Sequence, residues 1–244
     1  MQSAFSAKSA KNIIMKANFK VIAFDADDTL WVNETFFRET EKKFCALLSD
    51  FSTSDETMEV LYATEMQNLE DYGYGTKGFV LSMMETALKI TGNKVPQQTL
   101  EQIIELGKKQ INQPVELLHG VIETLEYLQQ KGYKLIVATK GDLLDQERKL
   151  QKSKLEKYFH HVEVMSNKKV ADYQKLINHL EIEPEDFLMI GNSYKSDIDP
   201  VLQLGGFGLH IPFHITWIHE KAEEMEEHPN WIKLQTIGEV KNLI

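Results

Sequence analysis

The chain has one cysteine, Cys45, among 244 residues. A single thiol excludes an internal disulfide and any zinc site built from several cysteines, and it suits a reducing, cytoplasmic setting. Its neighbours Phe44, Ala46, Leu47 and Leu48 mark it as a small core residue rather than a nucleophile. Long apolar runs are missing too: none approaches the roughly 20 residues needed to span a bilayer. Basic charge is scarce, with 27 Lys and Arg against 37 Asp and Glu, a formal net charge of -10 and no basic stretch. Such a chain would repel a nucleic-acid backbone or an anionic membrane surface, so neither is expected as a partner.

The first stretch, Met1 to Phe19, carries Lys8, Lys11 and Lys16 and no acid. It has no continuous apolar segment and no small-residue cleavage pattern, so it reads as a tail with one short helical turn rather than a targeting peptide. The acidic run from Glu220 to Glu227 reads as a solvated helical face. What the chain does have is an ordinary globular balance, 42% hydrophobic and 26% charged, with twelve Phe, eight Tyr and three Trp to build a core.

Short apolar runs end in polar residues at three places. Val21-Ile22-Ala23-Phe24 leads into Asp25, Leu135-Ile136-Val137-Ala138 into Thr139, and Phe187-Leu188-Met189-Ile190 into Gly191-Asn192-Ser193. Runs this short, apolar on both faces, predict strands buried inside a parallel sheet. Helical spacing lies between them: Val121, Leu125 and Leu128 before Gly132; Leu143, Leu144, Glu147 and Leu150; Tyr173, Leu176, Ile177 and Leu180 before Pro184. Strand alternating with helix predicts an α/β doubly wound domain. Residues 34–114 differ, with helical periodicity throughout (Phe44, Leu48; Leu61, Leu69; Met83, Ala87) and no strand pattern. The expected organisation is an α/β core over 18–33 and 115–244, interrupted by an all-helical insertion over 34–114.

Ligands in an open parallel sheet bind beyond the carboxyl ends of the strands. The first such end carries Asp25-Ala26-Asp27-Asp28-Thr29, and residues i and i+2 of an extended chain face the same way. Asp25 and Asp27 could therefore present two carboxylates to one pocket. Paired carboxylates repel unless a cation neutralises them, and a hard ion with oxygen ligands such as Mg²⁺ suits them and also accepts phosphate oxygens. One Asp could then attack phosphorus while the other serves as acid and base.

At this point the sequence resembles the haloacid dehalogenase superfamily, in its phosphatase branch. Four matches fall in the family's order. Asp25-Ala26-Asp27-Asp28-Thr29 is similar to its Asp-x-Asp-x-Thr signature, which implies Asp25 as nucleophile and Asp27 as general acid/base, with the Asp27 carbonyl on the metal. Thr139 stands where the family places a phosphoryl-binding Ser or Thr, followed here by Lys140 where Asn is frequent. Lys169 matches the family's phosphate-binding lysine, four residues before the aromatic Tyr173, with Lys168 as the alternative. Gly191-Asn192-Ser193-Tyr194-Lys195-Ser196-Asp197 resembles its metal loop, with Asp197 as the ligating acid and Asn192 where many members have Asp. Asn192 could meet Mg²⁺ directly or through water.

The resemblance implies a Rossmann-like core with a helical cap in the place of residues 34–114. It also implies a Mg²⁺-dependent phosphatase that hydrolyses a small phosphate ester through an aspartyl phosphate on Asp25. Dehalogenases of the superfamily lack an acid at the position of Asp27. A phosphomutase using the same residues, or a non-catalytic binding protein, are the alternatives. Within the insertion, the Tyr72-Gly73-Tyr74-Gly75-Thr76-Lys77-Gly78 loop offers Lys77 as a contact for an anionic substrate, or is a simple turn between helices. Substrate identity and oligomeric state are not written in the sequence.

Overall fold

A computed structural model describes residues 7–15, 17–220 and 228–244. Its contacts divide the chain into two compact units, one of residues 1–32, 115–139 and 150–244, the other of residues 33–114 and 140–149.

The first unit is built on a six-stranded sheet. Its strands are β1 (Val21–Phe24), β2 (Lys134–Lys140), β3 (His161–Met165), β4 (Phe187–Gly191), β5 (Phe207–His210) and β6 (Trp231–Lys233), in the order β3-β2-β1-β4-β5-β6. β1 pairs in parallel with both β2 and β4, β4 with β5, and β5 with β6. The three strands predicted from apolar runs are the central ones, and every residue of β1 and β4 is buried. The chain order reverses at β1, between β2 and β4, which is where doubly wound sheets open a crevice beyond their carboxyl ends.

Helices cover both faces of this sheet. Following α1 (Ala7–Ile14), the flanking helices are α6 (Val121–Gln130), α8 (Val170–His179) and α9 (Asp199–Leu204), and of α7 (Leu143–Ser153) residues 150–153 belong to this unit. On one face Ile22, Phe24, Leu135, Val137, Leu188 and Ile190 pack against Val121, Leu125 and Leu128 of α6. On the other, Val21, Ala23, Ile136 and Met189 pack against Tyr173, Leu176 and Ile177 of α8. Alternate strand residues thus face alternate layers, each large side chain contributing about 1.5–3 kcal/mol on full burial. In α7, Leu150 reaches the core, whereas Leu143 and Leu144 at its start are exposed. Among the described residues no helix is long and apolar enough to cross a membrane. Of the acidic run, residues 221–227 lie outside the described residues. Glu220 departs from the solvated-face expectation: it is half-buried and bonded, as set out below.

The second unit contains four helices, α2 (Glu34–Leu47), α3 (Ser54–Tyr72), α4 (Thr76–Ile90) and α5 (Gln97–Ile111). Phe44, Leu48, Leu61, Phe79, Met83, Ala87 and Ile103 form its core, and Cys45 is a buried free thiol. α3 opens with a reciprocal cap: Thr53 Oγ1 accepts from the Glu56 amide, and the Thr53 amide donates to Glu56 Oε2. The Gly73–Gly75 segment turns α3 into α4, with φ of +67° at Gly73 and +107° at Gly75, conformations that need glycine.

Arg38 of α2 bonds Glu34 and Glu41 at 2.9 Å each. Burial pushes the nearby Glu65 carboxyl up to about 8, Glu41 adding to the rise and Arg38 opposing it. Glu65 is therefore protonated in the folded chain at neutral pH, while the unfolded chain releases that proton above its ordinary value of 4.5. The folded state binds the extra proton across this window, so stability is full below it and falls as pH rises through about 8. Thermal melts between pH 6 and 9 should show Glu65→Gln flattening this decline by about 2–5 °C. A melting temperature with the same pH slope in both proteins would contradict the assignment.

Candidate active site

β1 ends at Phe24, and the next residue, Asp25, donates its amide to Ile190 O of β4 at 2.9 Å, which fixes its backbone at the switch point of the sheet. The Asp25 carboxylate is buried, 6% exposed, and Asp197, 1% exposed, lies across from it. Between them sits the Lys168 ammonium, 2.5 Å from Asp25 Oδ1 and 2.6 Å from Asp197 Oδ1. Residues separated by 143 and 29 positions in the chain thus meet at one nitrogen.

Each partner is held by its own element. Asp197 belongs to a single wide turn, Tyr194–Ile198, that follows β4, and its Oδ2 accepts the Ser193 amide at 2.9 Å. Gly191 makes this approach possible: a Cβ there would lie 2.2 Å from Asp197 Oδ2. Lys168 precedes α8 in the left-handed region, φ +52°, a conformation that β-carbon-bearing residues adopt at a cost of about 1–3 kcal/mol and that recurs at functional sites. Thr29 stands between the two loops, its hydroxyl 3.1 Å from Asp25 Oδ2 and 3.4 Å from Asn192 Oδ1.

The electrostatics follow from burial. It pushes the Asp25 carboxyl up to about 7, with Lys168 opposing and Asp197 and Asp27 adding to the rise. Burial disfavours the charge on Lys168 as well. The Asp197 and Asp25 carboxylates outweigh it and hold the ammonium well above the ordinary lysine value. Two carboxylates share one ammonium, leaving an excess negative charge out of water.

The structure brings Asp25 and Asp197 together around Lys168, and Thr29 links Asp25 to Asn192. Asp27 lies half-buried on the loop after β1, its Oδ1 accepting the Trp31 indole N–H at 2.7 Å. Thr139 is buried at the carboxyl end of β2, the strand beside β1. The lysine differs from the one chosen by spacing. Lys168 occupies the buried position, whereas Lys169 is exposed and begins α8, its amide donating to Asp172 Oδ2 at 3.0 Å. Counting back four residues from Tyr173 selects Lys169, but the positive φ at 168 turns the preceding side chain inward. Tyr173 itself is buried and donates its hydroxyl to Ser196 O at 3.0 Å. In the helical unit, Lys77 pairs with Asp142 at 2.9 Å, its side chain 59% exposed, so its ammonium already has an anionic partner.

Three supports went unread in the sequence. Thr29 links the two loops, Trp31 bonds Asp27, and Glu220 accepts hydroxyl protons from Ser193 and from Ser196, the latter at 2.6 Å. An S-x-x-S pattern beside a predicted metal loop is the one available hint of the last.

Comparison with known proteins gives a consistent picture. A family model described as haloacid dehalogenase-like hydrolase matches residues 19–205. A haloacid dehalogenase-like family hydrolase from Xanthomonas campestris is 32% identical, over 93% of this chain and 91% of its own, with a TM-score of 0.83. An HAD phosphatase from Thermococcus onnurineus shares the fold at 19% identity, covering 92% of this chain and 97% of its own (TM-score 0.62). So does a 2-haloacid dehalogenase from Pseudomonas syringae pv. tomato at 15% identity, with the same coverage (TM-score 0.60). No curated protein sequence matches this chain.

Proposed function

Because the chain belongs to the haloacid dehalogenase-like hydrolase family, we propose that it is a phosphatase acting on a small phosphate monoester through an aspartyl phosphate on Asp25. A phosphatase and a dehalogenase share the fold, so the fold does not choose between them. The observation that carries the choice is a third carboxylate, Asp27, two residues from Asp25 and adding to the rise of its pKa. A leaving alkoxide needs a proton; a leaving halide does not.

The family implies Mg²⁺, and the donor set fits it. Asp25 and Asp197 are buried carboxylates short of one positive charge, and Asn192 offers an amide oxygen beside them. Among the described residues no group of three or more His, Cys, Asp or Glu side chains forms a ligand set. The holding groups would be Asp25, Asp197, the Asp27 carbonyl and Asn192, and the ion would draw negative charge off the phosphoryl oxygens.

This chain's residues supply the rest. Lys168 offsets the negative charge on Asp25 and Asp197 and would take the phosphate-binding role expected of Lys169. An Asp25 oxygen attacks phosphorus, the bond from phosphorus to the ester oxygen breaks, and Asp27 gives that oxygen its proton. Asp27 then takes a proton from water, which attacks phosphorus and frees phosphate and the Asp25 carboxylate. Thr139, at the end of the neighbouring strand, would donate to an equatorial oxygen. Catalysis is then chiefly positioning and electrostatics. The four-helix unit is assigned the role of a cap that selects substrate.

A panel of phosphate monoesters, assayed with Mg²⁺ and with chelator, tests the reading beside a 2-haloacid. Phosphate release from at least one ester is expected, falling by about 10²-fold or more on chelation, with no halide released. Halide release without phosphate release would replace phosphatase by dehalogenase.

A further inference from the structure

Asp27 does not act alone in its loop. We propose that Trp31 is a positioning residue for the general acid, its indole N–H fixing the aim of the Asp27 carboxylate. The inference rests on the phosphatase reading above and deepens it.

The chain from Ala26 to Trp31 folds back on itself. Leu30 donates its amide to Ala26 O at 2.8 Å, Asp28 donates to Trp31 O at 2.7 Å, and Asp28 takes a φ of +60° to close the turn. Trp31 is thereby returned to bridge with Asp27 on one side and Leu117 on the other. Further bonds anchor the return: Val32 donates to Glu116 O at 2.9 Å, and Leu118 donates to Leu30 O at 3.0 Å. The indole ring is 1% exposed within the main core cluster, so it has little freedom to move. Its N–H, buried with the ring, needs an acceptor, and the acceptor is Asp27 Oδ1 at 2.7 Å.

Packing alone does not explain a tryptophan here, because a phenyl or leucyl side chain also fills a core. The bond does. A half-buried aspartate on a loop has several rotamers open to it. A hydrogen bond from a rigid donor narrows that choice by holding Oδ1 in place. Misplacing a reacting group by about 1 Å can cost on the order of 10²-fold in rate.

The test compares leaving groups. An alkyl phosphate depends on proton donation to its departing oxygen, whereas p-nitrophenyl phosphate releases a stable phenolate and depends on it little. For Trp31→Phe, kcat/KM on the alkyl ester should fall about 10- to 100-fold, and on p-nitrophenyl phosphate by less than about 3-fold. In an Asp27→Ala background the same substitution should cost the alkyl ester nothing further, since a residue acting through Asp27 has nothing left to position. If Trp31→Phe fails to fold, site-specific benzothienylalanine replaces only the N–H by sulfur and keeps the bicyclic ring. Equal losses on both esters would make Trp31 merely structural and overturn the inference, as would an undiminished rate on the alkyl ester. A wild-type chain that hydrolyses neither ester with Mg²⁺ would overturn the phosphatase reading and this one together. Wild-type activity with an unaffected variant sinks this one alone.

Discussion

Asp25→Asn is expected to lower the rate of phosphate-ester hydrolysis by on the order of 10⁴-fold or more, the largest effect of any single substitution. The amide is close in size to the carboxylate, so the loop after β1 and the bonds made by the Asp25 backbone should survive. What disappears is the oxygen proposed to attack phosphorus and the negative charge facing Lys168. Lys168 retains Asp197 as a partner at 2.6 Å, so no buried ammonium is left unpaired. Burial, the chief cause of the raised Asp25 pKa, no longer has a charge to penalise at residue 25. The variant should therefore melt at or above the wild-type temperature while losing activity, which separates a chemical defect from a folding one. Initial rates alongside thermal melts check both halves.

Lys168→Met should behave in the opposite way, harming stability and activity together. Removing the ammonium leaves Asp25 and Asp197 facing each other out of water, and breaking a buried pair by deleting one partner costs about 3–5 kcal/mol. Denaturant titrations without divalent metal should show that loss, and added Mg²⁺ should recover part of it by replacing the missing positive charge. The rate should fall by about 10²–10³-fold, the usual cost of removing one charge-stabilising donor. Lys169→Met provides the contrast. Its side chain is exposed, and a change there should stay within about 0.5 kcal/mol and leave the rate nearly unchanged. A pair of variants with these behaviours exchanged would restore the spacing-based choice of Lys169.

That one-residue difference shows where sequence reading stops. β1, β2 and β4 are plain in the sequence because strands buried on both faces need continuous apolar runs. β3 lies at the edge of the sheet with four of five residues only half-buried, so His161-Val162-Glu163-Val164-Met165 carries a weaker signal. β5 is four residues long with a glycine inside, and β6 is three. Neither is long enough to establish a period. The acids of the site were legible because each directly follows, or closely trails, a buried strand. Lys168 is legible only as the alternative to Lys169, since its inward aim depends on a positive φ that lysine rarely adopts and no neighbouring residue announces. Trp31 reads as ordinary core until its N–H is seen to meet Asp27. Lys77 looked available in a glycine-rich loop, but its partner Asp142 lies 65 residues along the chain, a pairing no local pattern reveals.

The account depends on a phosphoryl group passing through Asp25, and rapid quenching tests that most directly. The enzyme would be mixed with Mg²⁺ and an ester radiolabelled in its phosphoryl group, stopped in acid within one turnover, and digested. The label should appear on the peptide containing Asp25, be released by hydroxylamine as an acyl phosphate is, and be absent from Asp25→Asn. Phosphate released at full rate with no label on the protein at any time, or label on a peptide lacking Asp25, would contradict the account.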